Sequence, residues 1–596
     1  MGTPDKYRET FVATTVNQLQ MLMDRGEFTN AANILINLEN KKIRGTLLKI
    51  LITRNRNSHF QNVKVLISEL FSAGHFDKDV LLLIGRALID LGIRDLAVDV
   101  LKHAEKAFPE DPEVLNYFGV AQKVAGYFWD ARKTFNRCLE IRPSYPEALN
   151  NLASVCKDML EGENALALLE KAATLDPRNR AIQSNLISLS NYSASRNPID
   201  TLNLAASFQS QLGDPAIIRC SYAMKPADGD LRLGFVSGDF KAHPVGYFLR
   251  DILKSLTENN VEIFLYSSTS FTDELTRELR NYTRCYFDIS LTSDIDAAKL
   301  ISSHKLDTLI DLSGYTAGER LGLFRHRPAP TQGTWLGYCG TLAIPEIEFI
   351  IADDYVIPPN HEKQYSEHVL RIPGCYLSMD PASLPGPNEI PSSILRPTVF
   401  GAFNNSNKLN DELLNTWAEI LCRTPESTLL LKNPALSSVK FRQQMATEFM
   451  KRGISPERLR LTGHFSRVEH HQSFSKVDIM LDTFPYNGVT STFEALRNVV
   501  PIITLTGDRF ISRNGLSILM NAGIPNLVTA SSSEYVERAI QLARDVRQRA
   551  NVKEQIFAAQ KASCIFDTKK FSERFKNTIV KYIESGSSKM RVKHED

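Results

Sequence analysis

The stretch VDIMLDTFPYNGVTSTFEAL, Val477 to Leu496, runs from an apolar segment through a turn into a helical pattern. VDIML reads as a buried strand, and Pro485, Asn487 and Gly488 permit a tight turn. Three consecutive small hydroxyl residues, Thr490, Ser491 and Thr492, then stand at the mouth of the helix. A continuous apolar strand feeding a helix is the repeating unit of a parallel sheet covered on both faces. The N–H groups of the first helical turn lack intrahelical partners, and the helix dipole there favours an anion. The hydroxyls therefore either cap the helix or add donors to a phosphate site. A GxxxxGK run followed by Ser or Thr is absent, which excludes a P-loop triphosphatase motif.

Around this unit the same alternation continues. TVFGAFNN (398–405), STLLLKN (427–433), RLRLTGH (458–464) and VPIITLTG (500–507) are further strands, with helical segments between them. An earlier series holds LRLGFVS (231–237), VEIFLYSS (261–268), LDTLIDLSG (306–314), TQGTWLG (331–337) and EFIIAD (348–353). Between the two series lies the Pro-rich passage 379–397, read as an inter-domain linker. The fold expected is two Rossmann-like domains, 228–380 and 398–585, joined by a linker at 381–397, with ligands at the carboxyl ends of the strands in the cleft between them.

Upstream, three segments align at a spacing of 34 residues. Leu81, Leu115 and Leu149 fall in one column, and Gly85, Gly119 and Ala153 in another. Ala97, Ala131 and Ala165 align, as do Leu101, Phe135 and Leu169, and then Pro109, Pro143 and Pro177. Small residues admit close helix approach, large apolar ones fill the space between helices, and Pro stops the second helix. This is the tetratricopeptide (TPR) pattern, an α-solenoid expected over 78–195, with a further first helix at 179–190 and a divergent helical region at 1–77. The concave face of such an array binds a protein or peptide; such repeats also serve as dimerisation or spacer modules.

With 70 Lys plus Arg against 68 Asp plus Glu, the net charge is +2, so no global field points to nucleic acid or an anionic membrane. The chain begins with a polar run, MGTPDKYRETF, and no apolar run reaches the roughly 20 residues of a membrane span. Its eight cysteines are scattered with no CxxC pair, which fits reduced thiols in a cytoplasmic protein. The one Asp-x-Asp, Asp294-Ile-Asp296, reads as the opening of a helix rather than a metal site.

Three more segments accompany the opening stretch. GDFKAHPVGYFL (238–249) places His243 in a strand-to-helix loop, FNNSNK (403–408) does the same for Lys408, and GHFSRVEHHQSF (463–474) supplies Arg467 and His470. Together with GYTAGERLGLFRHRPAPTQGTWLGYCGT (314–341), QYSEHVLRIP (364–373), LDTFPYNG and TLTG, they resemble the TPR-containing O-linked N-acetylglucosamine transferases and the related SPINDLY protein fucosyltransferases. The likeness covers essentially the whole chain, and without the family's long insertion between catalytic halves it looks like a compact bacterial form.

The resemblance implies a GT-B unit that transfers a sugar, GlcNAc from UDP-GlcNAc in the first reading, to Ser or Thr of a protein, with inversion and without a metal or other cofactor. It implies that Lys408 contacts the donor diphosphate beside Asn405, and that Arg467 and His470 lie near the base and ribose. Thr490, Ser491 and Thr492 would hold phosphate, Glu494 the ribose, and His243 the sugar and acceptor side, as general base or as sugar ligand. Asn405 and Asp307 stand where the N-acetylglucosamine transferases carry Gln and His, and look more like the branch using GDP-fucose; Val489 fits neither pattern. A non-protein acceptor and a non-catalytic scaffold are the other readings. Of the adjacent pair His470 and His471, one is expected to be merely exposed, and Tyr315 and Trp335 are either core or cleft.

Overall fold

The computed structural model describes residues 4–38, 46–48, 50–51, 60–72, 78–193, 195–218, 231–391, 396–463 and 466–592. Parts of the predicted 1–77 region, the start of the 228–380 domain, linker residues 392–395, Cys220, His464 and the last four residues lie outside these. The chain divides into two compact units, residues 1–176 and 177–596.

The first unit is helical throughout its described residues. Three helix pairs follow the 34-residue register: Lys78–Asp90 with Arg94–Ala107, Pro112–Val124 with Phe128–Ile141, and Pro146–Asp158 with Gly162–Leu175. Each second helix stops two residues before Pro109, Pro143 or Pro177. The small-residue column exists because the paired helices touch there. A Cβ at Gly85 would stand 2.6 Å from Leu101 Cδ2, and one at Gly119 would stand 2.6 Å from Phe135 Cε1.

The second unit holds two parallel sheets. The first orders its strands β3-β2-β1-β4-β5-β6-β7, from β1 (Leu231–Ser237), β2 (Val261–Ser267), β3 (Cys285–Asp288) and β4 (Thr308–Asp311) to β5 (Thr331–Thr334), β6 (Phe349–Ala352) and β7 (His368–Arg371). The second orders them β10-β9-β8-β11-β12-β13, from β8 (Val399–Ala402), β9 (Thr428–Lys432) and β10 (Leu459–Thr462) to β11 (Ile479–Leu481), β12 (Ile502–Leu505) and β13 (Val528–Thr529). Both are doubly wound, with order reversing between β1 and β4 and between β8 and β11. Ligands of such sheets bind beyond the strand carboxyl ends at that reversal. This is the architecture of a TPR solenoid followed in the chain by a GT-B unit. Three short strands escaped the sequence reading: β3 and β7 carry polar or partly exposed residues, and β13 has two residues.

Two segments belong elsewhere than their position in the chain suggested. The helix Arg180–Ser190, read as part of the repeat array, and its partner Pro198–Ser210 lie in the second unit. Ile187, Ala205 and Phe208 join the core around Leu309, Tyr315 and Leu323, and Gln209 donates to Tyr315 Oη at 3.0 Å. The last helix, Thr568–Val592, begins within the residues read as the second Rossmann-like domain, 398–585, but packs on the first. Phe575 lies 4.8 Å from the Trp335 ring, Tyr582 5.1 Å from Phe349, and Lys576 Nζ donates to Asn259 O at 2.7 Å. Both aromatics left open above are core, Tyr315 at 2% exposure and Trp335 at 1%. Asp294 and Asp296 open the helix Asp294–Ser303 behind the N-cap Ser293, and Asp294 pairs with Arg180 and Arg320.

Candidate active site

The loops after β1, β4, β5, β8 and β11 enclose a cavity of about 480 Å³. One wall carries Asp239, His243, Thr316 and Gly337 from the first sheet's loops, and the facing wall carries Asn404, Asn405, Lys408, Val489, Thr490, Ser491 and Glu494.

Asp482, at the end of β11, organises the second wall. Its buried carboxylate accepts from Thr483 N at 2.9 Å, Gly488 N at 2.7 Å and Thr504 Oγ1 at 2.8 Å. Burial pushes its carboxyl up to about 6, against the lowering effect of these donors and of Lys408. The turn passes through a cis Phe484–Pro485 bond to Asn487, whose side-chain amide donates to Thr483 O and Leu505 O and whose backbone carbonyl accepts from Lys408 Nζ at 2.7 Å. Gly488 is needed for space rather than for its dihedral freedom: a Cβ there would lie 2.0 Å from Ser491 Oγ.

The helix Thr490–Arg497 begins with Val489 as N-cap, so no side chain caps it and the hydroxyls occupy its first turn. They divide in direction. Thr490 and Ser491 line the cavity, and Ser491 Oγ donates to Asn404 Oδ1 at 3.0 Å. Thr492 turns inward, fully buried, and donates to Gly488 O at 2.6 Å, away from the cavity expected for it. Asn404 Nδ2 is buried without a protein acceptor, a donor that the sequence reading passed over in favour of exposed Asn405.

Lys408 reaches the cavity from the short helical turn after β8, with its ammonium 4.0 Å from the centroid of the Tyr486 ring. Tyr192 packs on the same ring at 4.7 Å. Burial pushes the Lys408 ammonium down to about 8, opposed by the negative charge of Asp482. Across the cavity, His243 caps the helix Pro244–Glu258 through Nδ1, which accepts from Val245 N at 3.4 Å, while Asp239 Oδ2 stands 3.5 Å from the same nitrogen. Burial lowers its pKa, against Asp239. The capping bond leaves the ring proton on Nε2; a bond to Asp239 instead would free Nε2 to accept.

A family model for glycosyl transferase family 41 matches residues 212–384 and 390–575, spanning all these loops. The chain belongs to glycosyl transferase family 41. It is 32% identical to the probable UDP-N-acetylglucosamine–peptide N-acetylglucosaminyltransferase SPINDLY of Petunia hybrida over 59% of this chain and 39% of that one. It is 30% identical to the SEC protein of Arabidopsis thaliana, named for the same probable activity, over 59% of this chain and 37% of that one. Thus it spans well under half the length of the curated relatives it matches. The solved O-GlcNAc transferase of Thermobaculum terrenum, a mutant form, is similar with a TM-score of 0.78 and 26% identity, covering 85% of this chain and 98% of that one.

In this family 41 chain the other expected residues lie around the cavity rather than in its lining. His470 reaches it through Glu494, with Nε2 3.0 Å from Oε2, and His470 Nδ1 meets the ammonium of Lys432. Arg467 lays its guanidinium 4.4 Å from the ring of Tyr247 in the first sheet's domain. His471 is buried at 7% exposure and His470 is part-buried, so neither is merely exposed: the helix Arg467–Phe474 turns both inward. Asp307 accepts from Arg232 N at 2.8 Å at the amino end of β4, the end of the sheet opposite the cavity. Lys432 was legible only as the charged last residue of the apolar strand TLLLK. Among the described residues, no helix is long and apolar enough to cross a membrane.

Proposed function

We propose that this chain is a metal-independent, inverting protein O-glycosyltransferase that uses a nucleoside-diphosphate sugar. One observation carries the reading: Lys408, the first turn of Thr490–Arg497 and the unpartnered Nδ2 of Asn404 converge on one wall of a cavity whose other wall holds His243. In this reaction the Ser or Thr hydroxyl of a protein attacks the anomeric carbon, and the carbon–oxygen bond to the diphosphate breaks. The bonding pair moves onto the β-phosphate, where Lys408 and the helix-terminal N–H groups stabilise the charge that a divalent cation meets elsewhere. The acceptor proton leaves to His243 Nε2 when Asp239 holds Nδ1–H; in the capping tautomer His243 donates to the sugar instead.

The names of the relatives support GlcNAc from UDP-GlcNAc as the donor. Asn405, exposed at the cavity's lip, favours GDP-fucose as the second reading, whereas Asp307 is too far along the sheet to discriminate donors. Lys408→Ala removes a charge-assisted contact worth roughly 1.5–3 kcal/mol, so donor affinity falls by about 10- to 150-fold. Calorimetry with UDP-GlcNAc and GDP-fucose, on the parent and the variant, reads both the site and the nucleotide; unaltered affinity in Lys408→Ala would sink the site assignment.

A further inference from the structure

The wall of the cavity is backed by a chain of three polar side chains, buried at Lys432 and part-buried at His470 and Glu494. Lys432, at the carboxyl end of β9, is 5% exposed, with its ammonium 5.1 Å from the Phe403 ring centroid and 3.4 Å from Ser473 Oγ. It meets Nδ1 of His470, whose Nε2 lies 3.0 Å from Glu494 Oε2. Glu494 is the member that lines the cavity.

The direction of these bonds follows from donor inventory. An ammonium only donates, so His470 Nδ1 must accept, and the proton of the neutral ring is forced onto Nε2. Nε2–H then donates to Glu494, which occupies one carboxylate oxygen and leaves the other for a ligand hydroxyl. Metal sites use the same device when a partner on one ring nitrogen sets what the other nitrogen does.

We propose that Lys432 is a positioning residue for the nucleoside half of the donor. Through the tautomer of His470 it aims the Glu494 carboxylate at a ribose hydroxyl. Lys432 itself does not touch the ligand. The proposal rests on the donor-site reading above, and it separates the diphosphate, held by Lys408 and the helix terminus, from the nucleoside, held through Lys432.

The separation can be measured on the full chain with UDP, GDP and inorganic pyrophosphate as probes, in the parent, Lys432→Met and Lys432→Arg. Lys432→Met should weaken the bound nucleotide by about tenfold or more while pyrophosphate affinity stays within about twofold; Lys432→Arg should restore most of the nucleotide affinity, because it too only donates. With ¹⁵N-labelled histidine, the His470 ring, assigned with His470→Gln, should read as the Nε2–H tautomer in the parent and leave that state in Lys432→Met. Equal losses of pyrophosphate and nucleotide would show a merely structural lysine and overturn the proposal, as would an unchanged tautomer. Pyrophosphate failing to bind the parent would instead strike the donor-site reading, with the imidazole signal still reporting on Lys432. Should neither nucleotide bind the parent, both fall.

Discussion

Lys408 is a cation in a place that disfavours cations, and that tension has a measurable sign. Burial in the cavity wall lowers its pKa to about 8, below the 10.5 of an exposed lysine. A diphosphate prefers the protonated form, so affinity is flat below pH 8 and declines as pH rises above it. Stability of the free protein moves the other way across the same window. Between about 8 and 10.5 the unfolded chain binds the proton that the native state has lost, so this group's contribution to native stability increases with pH. Calorimetric titrations of UDP and GDP between pH 7 and 9.5 should show the decline, and Lys408→Met should remove most of it. A pH-independent affinity in the parent would mean that Lys408 does not face the phosphates.

At the scale of elements, the helical repeat rests on one contact made in the same register. Gly119 admits the Phe135 ring, as Gly85 admits Leu101, and the aligned pair in the next repeat is Ala153 with Leu169. Gly119→Val would place branched methyl groups inside the Phe135 ring. Overpacking of this kind costs on the order of 1–3 kcal/mol, which urea denaturation of the variant would read as a lower midpoint with a similar slope. The turn of the active site obeys the same logic with smaller clearances. Gly488 lies against Ser491 Oγ, Asn404 Oδ1 and Asp482 Oδ1, so the backbone itself forms the floor beneath the first turn of the helix.

For the whole molecule, the placement of residues 177–212 decides how the acceptor question can be tested. The helices Arg180–Ser190 and Pro198–Ser210 are part of the second unit's core, and Arg509 donates to Ser193 O at 3.2 Å and to Arg196 O at 2.6 Å. A truncation that removes residues 1–176 therefore leaves this core intact, whereas one carried to residue 190 strips Ile187 from it. The shorter deletion should retain UDP or GDP binding within about twofold and lose transfer to a protein acceptor. Protein glycosylation at the parent rate by that truncated chain would show that the repeats do not present the acceptor.

Much of this was legible without coordinates, for reasons of periodicity. A 34-residue repeat and apolar strands such as LRLGFVS and STLLLKN announce themselves because each must bury a face locally. Lys408, Thr490, Ser491 and Glu494, all in the cavity lining, could be picked out because each follows such a strand closely, in the turn after it or in the helix that the turn leads into, where an α/β sheet puts its ligands. Other features were decided only by packing across long separations in the chain. The last helix returns to cover Trp335, laying Phe571 6.1 Å and Phe575 4.8 Å from its ring, a contact between residues far apart in the chain. Thr492 turns inward while its two neighbours face the cavity, because successive helical residues point in directions about 100° apart and Gly488 O lies on its side. Lys432 became visible only when β9 was laid beside the helix Arg467–Phe474, since a single lysine ending a strand is indistinguishable in sequence from a solvated one. The sequence by itself determined the helical repeat, the longer apolar strands and the loops at their carboxyl ends; the tertiary structure alone decided which side chains of those loops face one another, because that depends on contacts no local pattern encodes.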